Sequence, residues 1–598
     1  MDLEEKIESI LERVEKPARY IGGEIGSIVK QDYSSRVVLS YPDTYEVGTA
    51  NQALQILYSL INRTTGAWAE RAFCPWTDAA ALMRAEAVPL FSLESWQPVA
   101  GADLWGITLQ HELTYANIPE MLDLAGVPLR REERRQGDPL VFGGGPSASN
   151  PHPVAAFFDF IVIGDGEAVV PEVIRVYEEN RGRPRAEIVA AIAALNSVFV
   201  PGRGGSVERA VVPELVLSDA ALSPVVPSLG AVHDRATLEI MRGCSRGCRF
   251  CLAGVWYRPV RERSRQDVLA AIAELTAATG YQEASLSSLS TTDYSAIGDV
   301  LGSLAQSHPG LSVSLPSLRV DSEVLRLLRL TPQRKGSITL APEAGSQRLR
   351  DVINKQVTDA DIESAVAEAF RSGCTTVKLY FMIGLPTETD ADLEGIVETA
   401  VTARALGRRL AASPGRVQVN VSVASFVPKA HTPFQWDGMD SRQELERKQG
   451  FLRKGMPRKQ IRLSMHDIGP SLVEGAIARG GDSAAAAIEA AWRAGARFDA
   501  WSELFDAEAW EKGFSAAGTT VEREAGRRFD FGAALPWDDI DPRVSREFLL
   551  EERRRADRGE PTPDCRREAC HLCGVCEGEI QLRLAPEAGA GNQGAESR

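Results

Sequence analysis

The sequence has no long apolar run. Nothing in it reaches the roughly 18 uninterrupted apolar residues of a membrane-spanning helix, which predicts no helical span and no membrane partner. A basic, apolar leader is missing too. Acids follow Met1 directly, and Leu3, Ile7, Ile10, Leu11 and Val14 fall at amphipathic-helix spacing, so a cytoplasmic protein is the expectation. Positive charge is not in excess: 67 Lys and Arg against 82 Asp and Glu leave a net charge of -15, and the average surface repels a phosphate backbone. No fixed-period repeat is present, and the 33 prolines and 51 glycines are scattered, which excludes a solenoid or coiled coil. There is no Ser-His-Asp set, Walker loop or HExxH pattern to carry the chemistry those motifs serve.

A chain of 598 residues with 44% apolar and 25% charged residues is too long for one core and predicts several domains. Residues 1–35 carry the N-terminal helix. From 36 to 181, RVVLSYP, ADLWGITL, PLVFGG and FDFIVIGDGE alternate with helical patterns, as in a parallel, Rossmann-like α/β sheet. In such sheets ligands sit beyond the carboxyl ends of the strands. Those ends carry Asp43 to Gly48, Thr108 to Gln110, Gly143 to Ser147 and Gly164 to Glu167. Residues 182–231 are Pro-, Val- and Gly-rich and read as a linker with extended strands. Six strand–helix units between 232 and 440 predict a partial, TIM-like (β/α)6 barrel with its chemistry at the C-terminal rim. The fold class is therefore α/β, followed by a helical appendage at 441–560, a Cys-rich motif at 561–580 and a tail, 581–598, too poor in apolar side chains to order.

The nine cysteines are uneven: three at 244–251, four at 565–576, and Cys74 and Cys374 alone. Close-spaced thiols in a large cytosolic chain serve metals or catalysis more often than disulfides. In MRGCSRGCRFCLAG, Cys244, Cys248 and Cys251 form a C-x3-C-x2-C loop after the apparent strand TLEIM. Three local thiolates can wrap one iron–sulfur cluster and leave an iron open to a chelating ligand, whereas zinc sites come as paired hooks. Gly243 and Gly247 allow a tight turn, and Arg242, Arg246 and Arg249 are expected to moderate the cluster's negative charge.

This loop, with Phe250 before its third cysteine, resembles the radical S-adenosylmethionine (SAM) superfamily. The resemblance implies a 4Fe-4S cluster, SAM chelated to the open iron, a 5′-deoxyadenosyl radical, and a reducing partner such as flavodoxin or ferredoxin. It places Phe250 near the adenine. The family's Gly-Gly-Glu motif is replaced by SLSSLSTTDY, so Ser288, Ser290 and Thr291 are its candidates for the SAM amino group. Glu343 and Ser346 in APEAGSQRLRDVINK match positions that present polar groups to SAM, although Ser346 also suits a helix N-cap. Gly384 and Pro386 in FMIGLPTET match the strand-five loop near the adenine.

YPDTYEVGTANQAL resembles a cobalamin-binding loop Asp-x-His-x-x-Gly, read as Asp43, Tyr45 and Gly48, with tyrosine where the family's cobalt-ligating histidine stands. The stretches ITL at 107–109, GGGPSASNP at 143–151, including Gly144, and VIGDGE at 162–167 are similar to the same cobalamin-type domain. The pieces together are similar to cobalamin-domain radical SAM proteins of unassigned function. If cobalamin binds, the resemblance implies methyl transfer; without it, methylthiolation, rearrangement or another hydrogen abstraction. A non-catalytic iron–sulfur or cobalamin sensor is the rival from a different class.

PDCRREACHLCGVCEG sets Cys565, Cys570, Cys573 and Cys576 in a C-x4-C-x2-C-x2-C array that suits either a structural zinc or a second iron–sulfur site, with His571 as a bystander. FVPKAHTPFQW brings Lys429, His431, Gln435 and Trp436 towards the expected rim, with His431 as the titratable candidate for catalysis. From Arg442 to Arg462, eight Lys or Arg stand against two Glu, either a solvated helix face or a patch for an RNA or ribosome-related substrate.

Overall fold

The computed structural model describes residues 2–217, 221–317, 319–320 and 336–585. The chain forms two compact units: Met1–Val212 with Ala221–Asp234 and Leu472–Arg543, and Pro213–Ala220 with Arg235–Ser471 and Val544–Arg598.

In the first unit, β1 (Arg36–Tyr41), β2 (Trp68–Phe73), β3 (Leu104–Thr108), β4 (Leu140–Gly144) and β5 (Phe160–Val162) are parallel, and β6 (Val198–Phe199) adds antiparallel to β5. The order β2-β1-β3-β4-β5-β6 reverses direction between β1 and β3, which makes the carboxyl ends of those two strands the topological switch point. The helices Gln52–Thr64 and Gly166–Glu179 turn Tyr58, Ile61, Val173 and Ile174 onto Val37, Leu39, Leu140 and Phe142 of the sheet. The N-terminal helix, Leu3–Leu11, starts on an Asp2–Glu5 capping box and buries Ile7 and Ile10.

Periodicity correctly marks helices beyond residue 441, but it does not tell where they dock. Residues 472–543 belong to the first unit rather than to a separate appendage. Trp492, Phe498 and Trp501 anchor them: the Trp492 indole N–H donates to Glu120 (2.8 Å), the Phe498 amide to Asn117 (2.8 Å) and the Trp501 indole N–H to Asp43 (3.0 Å). β7 (Val207–Glu208), from the expected linker, pairs in parallel with Ile540–Asp541 of this segment.

The second unit holds β8 (Ala236–Glu239), β9 (Met241–Arg242), β10 (Arg261–Glu262), β11 (Glu283–Ser287), β12 (Ser312–Ser314), β13 (Ser337–Glu343), β14 (Thr376–Ile383), β15 (Gln418–Ser425) and β16 (Ile461–Met465). Two parallel sheets, β12-β11-β8 and β13-β14-β15-β16, contain the six expected strands and one more. The addition, β16, lies where only helix is expected; five residues after a basic helix are too few for periodicity to separate. Val377, Leu379 and Phe381 of β14 and Val419, Val421 and Val423 of β15 are buried against helices such as Asp390–Leu410. The opposite face carries Lys378, Tyr380, Asn420 and Ser422 and is only partly covered, with Tyr380 42% exposed on a central strand. Part of the expected tail is ordered: Arg583 exchanges backbone hydrogen bonds with Val260 (3.0 Å) and Glu262 (2.9 Å), and Ala585 is buried. Residues 586–598 lie outside the described residues.

Candidate functional site

The cysteine loop runs between the antiparallel pair β9 and β10 in the second unit. Gly243 sits at φ +89°, where a Cβ would lie 2.4 Å from the carbonyl oxygen of Pro259 and 2.5 Å from that of Tyr257, so the turn into Cys244 is open to glycine alone. The Cys251 amide donates to the Cys248 carbonyl (3.1 Å), and the Cys251 sulfur N-caps the helix Leu252–Trp256 by accepting from the Gly254 amide (3.4 Å). The loop is clamped from behind. The Asn354 amide donates to the carbonyls of Gly247 (3.0 Å) and Thr562 (3.0 Å). Arg249, fully buried, donates to Glu552 (3.0 Å) and to the carbonyls of Val352 (2.9 Å) and Glu560 (2.6 Å).

The three loop arginines differ from their expected role. Each has a carboxylate of its own: Arg242 with Glu239 (2.7 Å), Arg246 with Asp293 (2.8 Å) and Arg249 with Glu552. Their guanidinium charges are thus paired within the protein. Lys355 lies beside the thiols: its ammonium pairs with Glu343 at 3.0 Å and interacts with Cys248 and Cys251, while Arg319 acts on Cys244. Burial alone would lower the Lys355 pKa, but Glu343 and Cys248 raise it, so the group stays charged. Burial, and then the Cys248 and Cys244 thiols, push Cys251 up to about 12; burial and Cys248 raise Cys244 as well. Three reduced thiols on one braced loop, next to a partly buried cation, fit a thiolate-ligated cluster. Lys355 escapes sequence reasoning because it lies twelve residues beyond Glu343 in the same quoted stretch, and only the fold returns it to that carboxylate.

The other candidates fall as follows. Phe250 packs against a core that includes Ala344, Leu385 and Phe426, from the loops after β13 and β14 and the end of β15. Glu343 ends β13 in a left-handed conformation (φ +70°). Ser346 is the N-cap of Gln347–Val352, accepting from the Leu349 amide (3.1 Å), and its hydroxyl also donates to Asp392, which gives it the capping role. The Ser288 hydroxyl donates to Thr291 (3.0 Å) and that of Ser290 to Asp293 (2.6 Å), so both are engaged within their own loop. The Gly384 amide donates to Glu388 (2.8 Å), which in turn binds buried Lys448 (2.6 Å). Lys448, one of the eight cations in the basic run, is thereby neutralised internally, and Arg447 pairs with Asp390 (2.8 Å). His431 is buried beside the Trp256 ring, centroids 5.8 Å apart, and its amide donates to the buried Gln435 side chain (3.0 Å).

In the first unit, the residues assigned to cobalamin are taken up by the chain itself. Asp43 accepts from the Trp501 indole. The buried Tyr45 hydroxyl donates to Glu24 (3.1 Å) and accepts from the Ser228 amide (3.0 Å), and Gly48 has the Phe73 ring where a Cβ would lie, at 2.4 Å. The strand-end loop after Gly144 is filled in the same way: a Cβ at Gly145 would lie 2.6 Å from the Leu109 carbonyl oxygen. Asp43 and Tyr45 thus have partners within the unit, and no step below passes through cobalamin.

Residues 238–400 match the family described as the radical SAM superfamily, and residues 53–201 match the N-terminal region of radical SAM proteins. An uncharacterized protein of Methanocaldococcus jannaschii is 27% identical over 451 residues, 75% of this chain and 89% of that one. The ribosomal protein uS12 methylthiotransferase of Desulfotalea psychrophila is 28% identical over 27% of this chain, which spans only 39% of that enzyme. The radical SAM methyltransferase TsrM of Kitasatospora setae, solved with cobalamin and a [4Fe-4S] cluster, is 16% identical, with a TM-score of 0.44 over 65% of this chain and 75% of that one, too slight a likeness to bear on cofactor or reaction. With the matched core enclosing the Cys244, Cys248 and Cys251 loop, the chain belongs to the radical SAM superfamily.

Proposed function

We propose that this chain is an enzyme in which Cys244, Cys248 and Cys251 hold a 4Fe-4S cluster with one iron open to SAM. With both bound, such a centre supplies one-electron cleavage of the sulfonium and a 5′-deoxyadenosyl radical that takes a hydrogen atom from the substrate. The chain's own residues then do the holding. Gly243, Asn354 and Arg249 fix the loop backbone so that the three thiols stay on one side. Glu343 and Lys355 offer a carboxylate and an ammonium, the complements of the amino and carboxylate groups of a bound amino acid. Phe250, packed with Leu385 and Phe426, supplies an apolar wall for the adenine. Trp256, at the end of the helix that Cys251 caps, packs on buried His431. The partly covered face with Tyr380 and Ser422 is the surface left for substrate.

The observation that carries this reading is the partly buried Glu343–Lys355 pair beside three braced thiols. Among the reactions open to such a centre, methylthiolation, rearrangement and other hydrogen abstractions need no corrin, and a low-potential one-electron donor such as flavodoxin or ferredoxin completes the system. Protein reconstituted without oxygen and given SAM and dithionite should release 5′-deoxyadenosine and methionine, and the triple Cys→Ala variant at 244, 248 and 251 should lose both the iron and the product. Intact SAM over a fully loaded cluster would replace the enzyme with a sensor.

A further inference from the structure

The second cysteine group, Cys565 to Cys576, is not a free tail. It is tied to the segment of the first group on both sides. Before it, the Thr562 amide donates to Asn354 (2.9 Å), the residue that also holds the Gly247 carbonyl. Arg566 donates to the Asp293 carbonyl (2.7 Å) and pairs with Asp564 (2.6 Å), while Arg246, between Cys244 and Cys248, pairs with Asp293 and lies 3.5 Å from Asp564. After it, Arg583 and Ala585 bond to Val260 and Glu262, with the Ala585 amide on the Glu262 carboxylate at 2.8 Å. Between these ties the Cys573 carbonyl accepts from the Ser545 amide (2.9 Å), and Val575 is buried.

Arg258 is a further cation close to both groups. Arg258 donates to the Gly254 carbonyl (2.9 Å), and one terminal nitrogen lies 3.6 Å from the Cβ position of Gly247, next to Cys248. The same guanidinium acts on Cys565 and Cys576, lies 5.4 Å over the Phe548 ring, and Phe548 stacks on His571. Cys565, Cys573 and Cys576 are close enough to influence one another electrostatically, as are Cys570 and Cys576.

We propose that Cys565, Cys570, Cys573 and Cys576 bind a second iron–sulfur cluster, closed by four thiolates, beside the Cys244–Cys251 loop, with Arg258 offsetting the negative charge of both. Spacing favours this over zinc. A single zinc, with bonds of about 2.3 Å, draws its sulfurs to within about 3.8 Å of one another. Cys570, Cys573 and Cys576 follow one another as C-x2-C-x2-C, a run that iron–sulfur ligands use, whereas zinc ligands come as two separated hooks. A closed quartet has no iron to offer SAM, so the two centres differ in what they can bind.

The full-length chain, reconstituted without oxygen, should hold about eight irons, a matching amount of sulfide and no zinc. The quadruple Cys→Ala variant at 565, 570, 573 and 576 should keep about half of that iron, and the triple variant at 244, 248 and 251 the other half. If the quadruple variant fails to fold, the wild-type protein still decides: after reduction its electron paramagnetic resonance should contain two components, of which SAM perturbs one. Stoichiometric zinc, or a single component that SAM shifts entirely, would overturn the proposal. Eight irons without SAM cleavage would leave it standing while the enzymatic reading fell.

Discussion

Arg249 lies between Cys248 and Cys251 yet bonds to Glu552 and to backbone carbonyls, so removing it tests the idea that the loop is braced from behind. Arg249→Met keeps most of the apolar stem and deletes the guanidinium. The loss includes the Glu552 bond and those to the carbonyls of Asp351, Val352 and Glu560, and it strands a carboxylate that is only 4% exposed. Breaking one partner from a buried ion pair costs about 3–5 kcal/mol, mostly because the other charge remains in place. The Thr562 hydroxyl still donates to Glu552 at 2.6 Å, which puts the expectation at the lower end. About 3 kcal/mol is roughly a hundredfold in the population of an opened loop. A 598-residue chain with two compact units does not unfold in two states, so a melting temperature is the wrong measure. The rate at which a strong chelator strips iron from the reconstituted protein, with amide exchange over 244–256, reads the opening directly. Arg249→Met should raise both by about two orders of magnitude. Arg249→Met with Glu552→Gln should recover part of the loss, since no charge is then stranded. Rates within about threefold of wild type, or a double variant worse than the sum of its singles, would refute the bracing argument.

Gly243→Ala should sharply reduce iron loading, because the new Cβ meets two backbone oxygens within 2.5 Å; Gly280→Ala, at φ +72° with nothing within 4 Å, is the control and should load normally. Lys355→Met should leave iron content intact but weaken SAM binding by about ten- to a hundredfold, the worth of a charged hydrogen bond, as measured by equilibrium binding to reconstituted protein. Asp499 is buried with the Trp510 indole N–H 2.7 Å from its carboxylate, and burial pushes its pKa up to about 7. Its folded form holds a proton that the unfolded form has released, so it makes the first unit less stable as pH rises from about 4 to 7. Asp499→Asn should flatten that part of the pH profile of amide exchange in residues 472–543, and an unchanged slope would sink the assignment.

The sequence by itself determined which chemistry the chain can carry. Three cysteines within eight residues, two glycines that turn the loop and an aromatic before the third thiol are local properties, and local spacing fixes them whatever the rest of the fold does. Most sheet strands of both units were legible for the same reason, since alternation and apolar runs depend on neighbours in sequence, but β2 and β16 were not. The tertiary structure decided everything that pairs distant residues. It returned Lys355 to Glu343, gave each loop arginine its own carboxylate, seated Trp501 on Asp43 across more than 450 positions and placed Arg258 close to both cysteine groups. A side chain's charge is written in the sequence, but whether that charge faces a cluster or a carboxylate depends on which backbone the folding chain brings within a few ångströms of it.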